Sequence, residues 1–140
     1  MIHFKVDKFI GNNSATLSSQ NASIEPELIL QIDGQTILHA YEANTFFSRL
    51  HGLHKHLPIA DDHALVITHC KAIHTIGMPS AIDCIFVDSD GQVLKVQTVS
   101  VRRWASCSGA AAVVETNAGV CARLGITRGL YIGRETGDWT

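Results

Sequence analysis

The sequence predicts a mainly β fold with two short helices (α+β), arranged as a small barrel-like or sandwich-like single domain. Short apolar runs recur along the chain, Asp-Gly pairs stand between such runs at two places, and only two short segments have helical spacing. An Asp-Gly pair between two apolar runs is typical of a hairpin turn. Since no repeat and no linker interrupts the 140 residues, we expect one domain over residues 1–140.

The N-terminal third of the chain predicts strands separated by polar turns. Residues 1–10 alternate between apolar and polar side chains, which predicts a first strand. Residues 11–23 are polar and rich in turn-forming types, so a loop is expected there. Residues 28–32 and 36–41 flank Asp33-Gly34 and predict a β-hairpin.

A short amphipathic helix is predicted next. Apolar residues from Phe46 to Leu57 recur at helical spacing, and Asn44 is a suitable N-cap. Gly52 lies in the middle of this segment and costs about 1 kcal/mol relative to alanine. It therefore indicates either close packing at that point or an early helix end.

The second half of the chain predicts a hairpin, a second helix and further short strands. Asp90-Gly91 predicts the hairpin turn. Asn117 is a suitable cap for a short helix that ends at Gly125. The apolar runs predict strands over residues 64–68, 82–87, 93–101, 110–114 and 129–132.

Composition argues against several functional classes. The formal charge is −2 and no basic stripe is present, so no nucleic-acid partner is expected. No apolar run approaches the roughly 20 residues that a transmembrane helix needs, and residues 1–10 contain no apolar signal-peptide core. We expect a cytoplasmic protein, or an envelope protein if a leader has been removed.

The four cysteines contain no C-x-x-C pair, which favours buried thiols over a disulfide framework. Cys84 lies in a predicted apolar strand and Cys121 in the second predicted helix. We expect both to be buried and unreactive, behaving as small hydrophobic residues.

Three blocks of sequence carry a family resemblance. RLHGL at residues 49–53 contains an arginine-x-x-glycine-leucine pattern in a predicted helix. Residues 70–93 contain, in order, a cysteine, isoleucine-histidine-threonine, glycine-methionine, isoleucine-aspartate and an aspartate-glycine turn. Residues 107–125 contain a C-x-G-A opening, an apolar strand ending in glutamate, and alanine-glycine before a leucine-glycine pair that an isoleucine follows. In this order and spacing, the blocks resemble the prokaryotic family known as domain of unknown function 192.

The resemblance covers about residues 35–132 and implies a compact β-rich fold with two short helices. It implies no activity, since none is established for that family. The chain departs from the subgroup pattern at Pro79-Ser80-Ala81, which replace a basic, aromatic, proline run after Met78, at His69 in place of proline, and at Gly129-Leu130 in place of glycine-aspartate. A shared basic ligand contact after Met78 is therefore not expected.

The predicted binding site lies where the loop of residues 70–81 meets residues 102–107. His74 and Thr75 stand in a connection between strands, a position suited to binding, although His74 could equally be a structural residue bonded to backbone or to Asp83.

The second half of this predicted site combines charge with an aromatic ring. Arg102 and Arg103 beside Trp104 suit an anionic or carbohydrate-like ligand, or a protein partner, unless Trp104 is packed as a plug. The leading hypothesis is therefore a small binding or interaction domain.

Asp83 is the most informative single residue. It lies in an apolar run, so its carboxylate is expected to be desolvated and to need a partner nearby. The candidates are His74, Arg102, Arg103 and the backbone N–H groups of the preceding loop. Our hypothesis is that Asp83 ties the loop of residues 73–81 to its strand and orients His74, and a ligand contact is the alternative.

A metal- or thiol-dependent site is the second functional hypothesis. Cys70, His74 and Cys107 are residue types that bind zinc, but their spacing fits no standard ligand pattern, and Cys70 with Cys107 could instead form a disulfide. No catalytic motif is present, so no catalytic residue and no cofactor is predicted, and an enzyme is the less favoured reading.

Overall fold

Nine strands and one short helix make up the part of the chain that this computed structural model describes, residues 26, 28–43 and 59–140. The strands are β1 (Leu28–Ile32), β2 (Gln35–Ala43), β3 (His63–Thr68), β4 (Ala72–His74), β5 (Ile82–Val87), β6 (Val93–Val99), β7 (Trp104–Ser106), β8 (Ala112–Asn117) and β9 (Gly133–Arg134), and the helix is α1 (Val120–Leu124). Within these ranges no helix is long and apolar enough to cross a membrane.

Seven of the strands form one mixed sheet, in the order β6-β5-β8-β3-β2-β1-β9, and β4 pairs with β7 in a separate two-stranded ribbon. Among the described pairs of strands, β2–β3 is parallel and the others are antiparallel. The mainly β class is confirmed. The barrel-like alternative is wrong, because the sheet formed by the described residues does not close on itself. The ribbon packs against one face of the sheet, which is compatible with the sandwich-like alternative.

Both predicted hairpins form at their Asp-Gly pairs. Asp33 and Gly34 join β1 to β2 with φ angles of 51° and 76°, the left-handed conformation that a tight two-residue hairpin turn requires. In the β5–β6 turn, an oxygen of the Asp88 carboxylate accepts the backbone N–H groups of Asp90 and Gln92, each at 2.9 Å. Local turn chemistry therefore sets both hairpins.

The sheet has a hydrophobic core on each face, because side chains alternate along its strands. Ile85 and Val87 of β5 join a core that includes Val120 and Cys121 of α1. Cys84 and Phe86 of β5 join the opposite core, into which the ribbon contributes Ile73 and Ala105. We call these the helix-side core and the ribbon-side core.

The C-terminal half of the chain departs from the predicted boundaries. The strand predicted over residues 129–132 is wrong, since the last strand is β9. Residues 129–132 instead form hydrogen bonds with the start of β6, where the Val93 N–H donates to the Leu130 carbonyl at 2.7 Å. Gly119, not Asn117, is the N-cap of α1. Asn117 ends β8 and donates its amide to Asp61 at 2.9 Å.

Three sequence predictions fall on residues that the structure does not describe: the strand over residues 1–10, the loop over residues 11–23, and the amphipathic helix from Phe46 to Leu57. The count of two helices is therefore not supported, and the described ranges contain α1 alone.

Trp139 closes the helix-side core. Its side chain is 4% exposed, and its indole N–H donates to the Ile132 carbonyl at 3.1 Å. The Arg134 guanidinium lies 5.2 Å from the ring centroid and is paired with Glu42 at 2.9 Å. At Gly91, with φ +86°, a Cβ would stand 2.5 Å from the indole nitrogen, so only glycine leaves room for the ring.

We predict that Trp139→Ala lowers the free energy of unfolding by about 3–5 kcal/mol, because truncating a buried tryptophan leaves a cavity. Trp104→Ala is the matched control: Trp104 is 67% exposed, so its loss should change stability by about 0.5 kcal/mol or less. The measurement is urea denaturation of both variants beside the parent. Equal midpoints for the two variants would contradict the role of Trp139 in the helix-side core.

Candidate functional site

Thr75 fixes the end of the ribbon at which residues 74–77 meet residues 100–104, which we call the ribbon tip. Its hydroxyl donates to the Ser100 carbonyl at 2.6 Å and accepts the Arg103 N–H at 2.9 Å. Its backbone N–H donates to Arg103 at 2.9 Å, and its carbonyl accepts the N–H groups of Met78 and Arg102. Because Thr75 is fully buried, these bonds hold two turns in one fixed arrangement.

The ribbon tip exposes large apolar side chains. Trp104 is 67% exposed, Ile76 is 52% exposed and Val101 is 38% exposed. They are three of the four large hydrophobic residues exposed within the described ranges, the fourth being Tyr131. The alternative that Trp104 packs as a plug is therefore wrong.

His74 and Trp104 form the aromatic part of the ribbon tip. They are directly opposed residues of β4 and β7, and their ring centroids lie 5.0 Å apart at 56°. Arg102 and Arg103 directly precede Trp104 in the chain, and both are exposed. Arg102 has a φ of 59°, an uncommon left-handed conformation held by its N–H bond to Thr75.

The ribbon tip is cationic although the whole chain is acidic. Residues 72–78 and 99–106, which form the ribbon and the turns that border it, contain Arg102 and Arg103 and no aspartate or glutamate. Outside these segments, the described residues carry five cationic and ten acidic side chains, a formal charge of −5. Lys71 and Lys95 lie toward the other end of the ribbon, where Lys95 donates to the Ser106 carbonyl at 2.9 Å, so Arg102 and Arg103 supply the positive charge at the tip.

Asp83 is buried, as predicted, but its partners differ from the predicted ones. One carboxylate oxygen accepts the Thr98 hydroxyl at 2.6 Å, and the other accepts the N–H groups of Gly119 at 3.0 Å and Cys121 at 3.1 Å. The predicted tether to the preceding loop is wrong. Instead, Asp83 joins β5 to β6 and caps the first turn of α1, whose own N-cap residue has no side chain.

The three residues considered for a metal or redox site do not converge: Cys70 and Cys107 lie at one end of the ribbon, both as free thiols, and His74 lies at the other. His74 pairs with Trp104, whereas Cys107 lies beyond the opposite end of the ribbon and donates its N–H to Lys71. The Cys70 thiol donates to the Ala72 carbonyl at 3.1 Å. No cluster of three or more histidine, cysteine or acidic side chains suited to a metal occurs in the described part of the chain.

Sequence reasoning missed two features of this region. Ile76 and Val101 were not predicted as site residues, although an apolar residue inside each turn is the pattern that could have identified them. Glu115 was also missed: it is buried between Leu65 and Cys84 on neighbouring strands, and burial raises the pKa of its carboxyl. The sequence pattern that could have identified Glu115 is a single acidic residue at the end of an apolar run.

Comparison with known proteins connects the chain to one family and two solved structures. The family model DUF192, described as an uncharacterized ACR, matches residues 28–133, which include the predicted 35–132 core. No curated protein gives a significant match.

The two solved structures resemble the chain in fold. One is a Sinorhizobium meliloti protein provisionally described as a transcription regulator, with a TM-score of 0.65 and 21% identity, covering 81% of this chain and 98% of its own. The other is a Novosphingobium aromaticivorans protein of unknown function, with a TM-score of 0.62 and 19% identity, covering 88% of this chain and 99% of its own. At these identities the likeness concerns the fold alone.

We predict that Asp83→Asn lowers the free energy of unfolding by about 1–3 kcal/mol, because two backbone N–H groups lose a charged acceptor. Asp90→Asn, in the exposed β5–β6 turn, is the control and should change stability by about 0.5 kcal/mol or less. Chemical denaturation measures both variants. If Asp83→Asn unfolds at the parent's midpoint with the parent's slope, the carboxylate does not hold α1 to the sheet.

The four thiols should divide into two reactivity classes. Burial raises the pKa of Cys121 to about 12 and raises that of Cys84 further, so at pH 8 almost none of either is the reactive thiolate. Cys70 and Cys107 are only half-buried, and of these two the Cys70 thiol has its pKa raised by burial, which makes it the less reactive. We predict that a maleimide modifies Cys107 first and the two buried thiols only after urea unfolding, as followed by peptide mass spectrometry. Equally fast native labelling of Cys84 would contradict this.

Proposed function

The chain belongs to the DUF192 family, and we propose that it is a small binding domain whose ribbon tip takes an anionic partner. The observation that carries the proposal is the exposure of Trp104, Ile76 and Val101 on turns that Thr75 holds rigid. Exposed apolar side chains clustered at one place mark interaction sites more often than scattered ones do. Because the turns are already ordered, binding loses little conformational entropy there.

The charge distribution indicates the sign of the partner. Arg102 and Arg103 stand beside Trp104, and tryptophan and arginine are the residues most enriched in binding hot spots. The guanidinium groups bind carboxylate, phosphate or sulfate oxygens in pairs, and the indole and imidazole rings of Trp104 and His74 offer an apolar face. An acidic partner is therefore attracted to Arg102 and Arg103 at the ribbon tip and repelled by the other described residues, whose formal charge is negative.

The proposal is tested by nuclear magnetic resonance titration of the full chain with inorganic phosphate, a short polyglutamate peptide and a sulfated oligosaccharide. The chain has two tryptophans, so its spectrum contains two indole N–H signals. We expect the Trp104 signal to shift with at least one probe, together with the amides of residues 74–76 and 101–104. The Trp139 signal is the internal control, since that indole is buried and bonded to Ile132.

Single arginine variants identify the contacts. Arg102→Ala and Arg103→Ala should each weaken binding of the active probe by about three- to fivefold, the effect of one exposed ion pair, and less in high salt. Arg128→Ala removes an exposed arginine from the turn before β9 and should leave affinity unchanged. If no probe moves the Trp104 signal, or if Arg128→Ala weakens binding as much as the other two variants, the proposal is wrong.

A further inference from the structure

We propose that the partner of the ribbon tip is the surface of an anionic lipid bilayer, into which Ile76, Val101 and Trp104 insert. This inference rests on the proposed function and names its partner. Ile76 and Val101 lie in turns, outside β4, β6 and β7, at the end of the ribbon where Thr75 brings those turns together. Apolar side chains at the ends of ordered turns can enter the outer part of a bilayer without any rearrangement of the fold.

The residue types match the layers of a membrane interface. Tryptophan concentrates at the level of the lipid headgroups, where its ring is apolar and its N–H stays hydrated. Arg102 and Arg103 flank the apolar residues, and arginine can keep its charge among phosphates while its aliphatic stem lies against apolar surface. The ribbon tip thus combines three apolar side chains that can insert into the bilayer with two arginines that can bind its headgroups.

Charge complementarity favours an anionic membrane and orients the molecule on it. Arg102 and Arg103 stand at the ribbon tip, and residues 72–78 and 99–106 around it contain no aspartate or glutamate, whereas Lys71 and Lys95 lie at the other end of the ribbon. Outside residues 72–78 and 99–106, the described residues carry five cationic and ten acidic side chains, a formal charge of −5, and are repelled by the same surface. An anionic bilayer therefore selects the orientation with the ribbon tip down, and a neutral bilayer does not.

The exposed residues of the ribbon tip are sufficient for a bilayer contact. A peripheral membrane contact needs only some apolar insertion together with attraction to anionic headgroups. The three exposed apolar residues and the two arginines of the ribbon tip meet that requirement.

The test is co-sedimentation of the full chain with vesicles of equal parts phosphatidylglycerol and phosphatidylcholine, and with vesicles of phosphatidylcholine alone. We expect binding to the first and much weaker binding to the second. Brominated phosphatidylcholine in the anionic vesicles should quench the fluorescence of Trp104, while Trp139, buried in the helix-side core, keeps its emission. Binding that does not distinguish the two vesicle types would overturn the inference.

Variants separate insertion from simple charge attraction. Arg102→Ala should lower the vesicle partition coefficient about fivefold, and Trp104→Ala and Ile76→Ser about tenfold each. Tyr131→Ala is the matched control, because Tyr131 is 58% exposed away from the ribbon tip, and it should partition like the parent. If Arg102→Ala weakens binding while Trp104→Ala and Ile76→Ser do not, the apolar residues do not insert and the inference fails.

The vesicle result also separates this inference from the proposed function. If the chain ignores anionic vesicles while phosphate or polyglutamate still moves the Trp104 indole signal, the lipid partner is wrong and the anionic site stands. If neither vesicles nor soluble anions act on Trp104, both proposals fail together.

Discussion

β5 is buried along its whole length, on both faces of the sheet, and this constraint determines what surrounds it. A polar side chain on such a strand must find its hydrogen-bond partners inside the protein, because no water reaches it. Asp83 finds them in the Thr98 hydroxyl and in two N–H groups at the start of α1. The helix is only five residues long and has no side-chain cap of its own. Its position on the sheet therefore depends on that carboxylate as well as on Val120 in the core.

The predictable parts of the fold are those that neighbouring residues encode. The hairpins at Asp33-Gly34 and Asp90-Gly91 follow from turn chemistry that two or three residues supply. The strands β4 and β7 were missed because three residues are too few to show an alternating pattern. Likewise, the N–H groups that bind Asp83 belong to Gly119 and Cys121, which lie 36 and 38 residues further along the chain. No residue near Asp83 in the sequence indicates these partners.

The sequence predicted which two segments form the candidate site, but not how their side chains are arranged. Residues 70–81 and 102–107 do meet, with His74 opposite Trp104. The sequence could not show which residues lie at which end of the ribbon, so Cys70 and Cys107 were grouped with His74. The pairing of β4 with β7 places both cysteines at one end and His74 at the other. It also treated Thr75 as a ligand contact, whereas the Thr75 hydroxyl is engaged by Ser100 and Arg103. Thr75 has this structural role because it is buried, and its burial depends on segments that are distant in the sequence.

The position of β8 in the sheet has a consequence for how the protein folds during synthesis. β8 lies between β3 and β5, and these two strands are joined to each other in the sheet only through it. Both precede β8 along the chain, so a polypeptide emerging from the ribosome carries two separate half-sheets, each with an open edge, until residues 112–117 arrive. Open strand edges invite pairing with other chains. The edges of β3 and β5 stay open until β8 pairs with both, so that is the stage of folding at which pairing with another chain is most favoured.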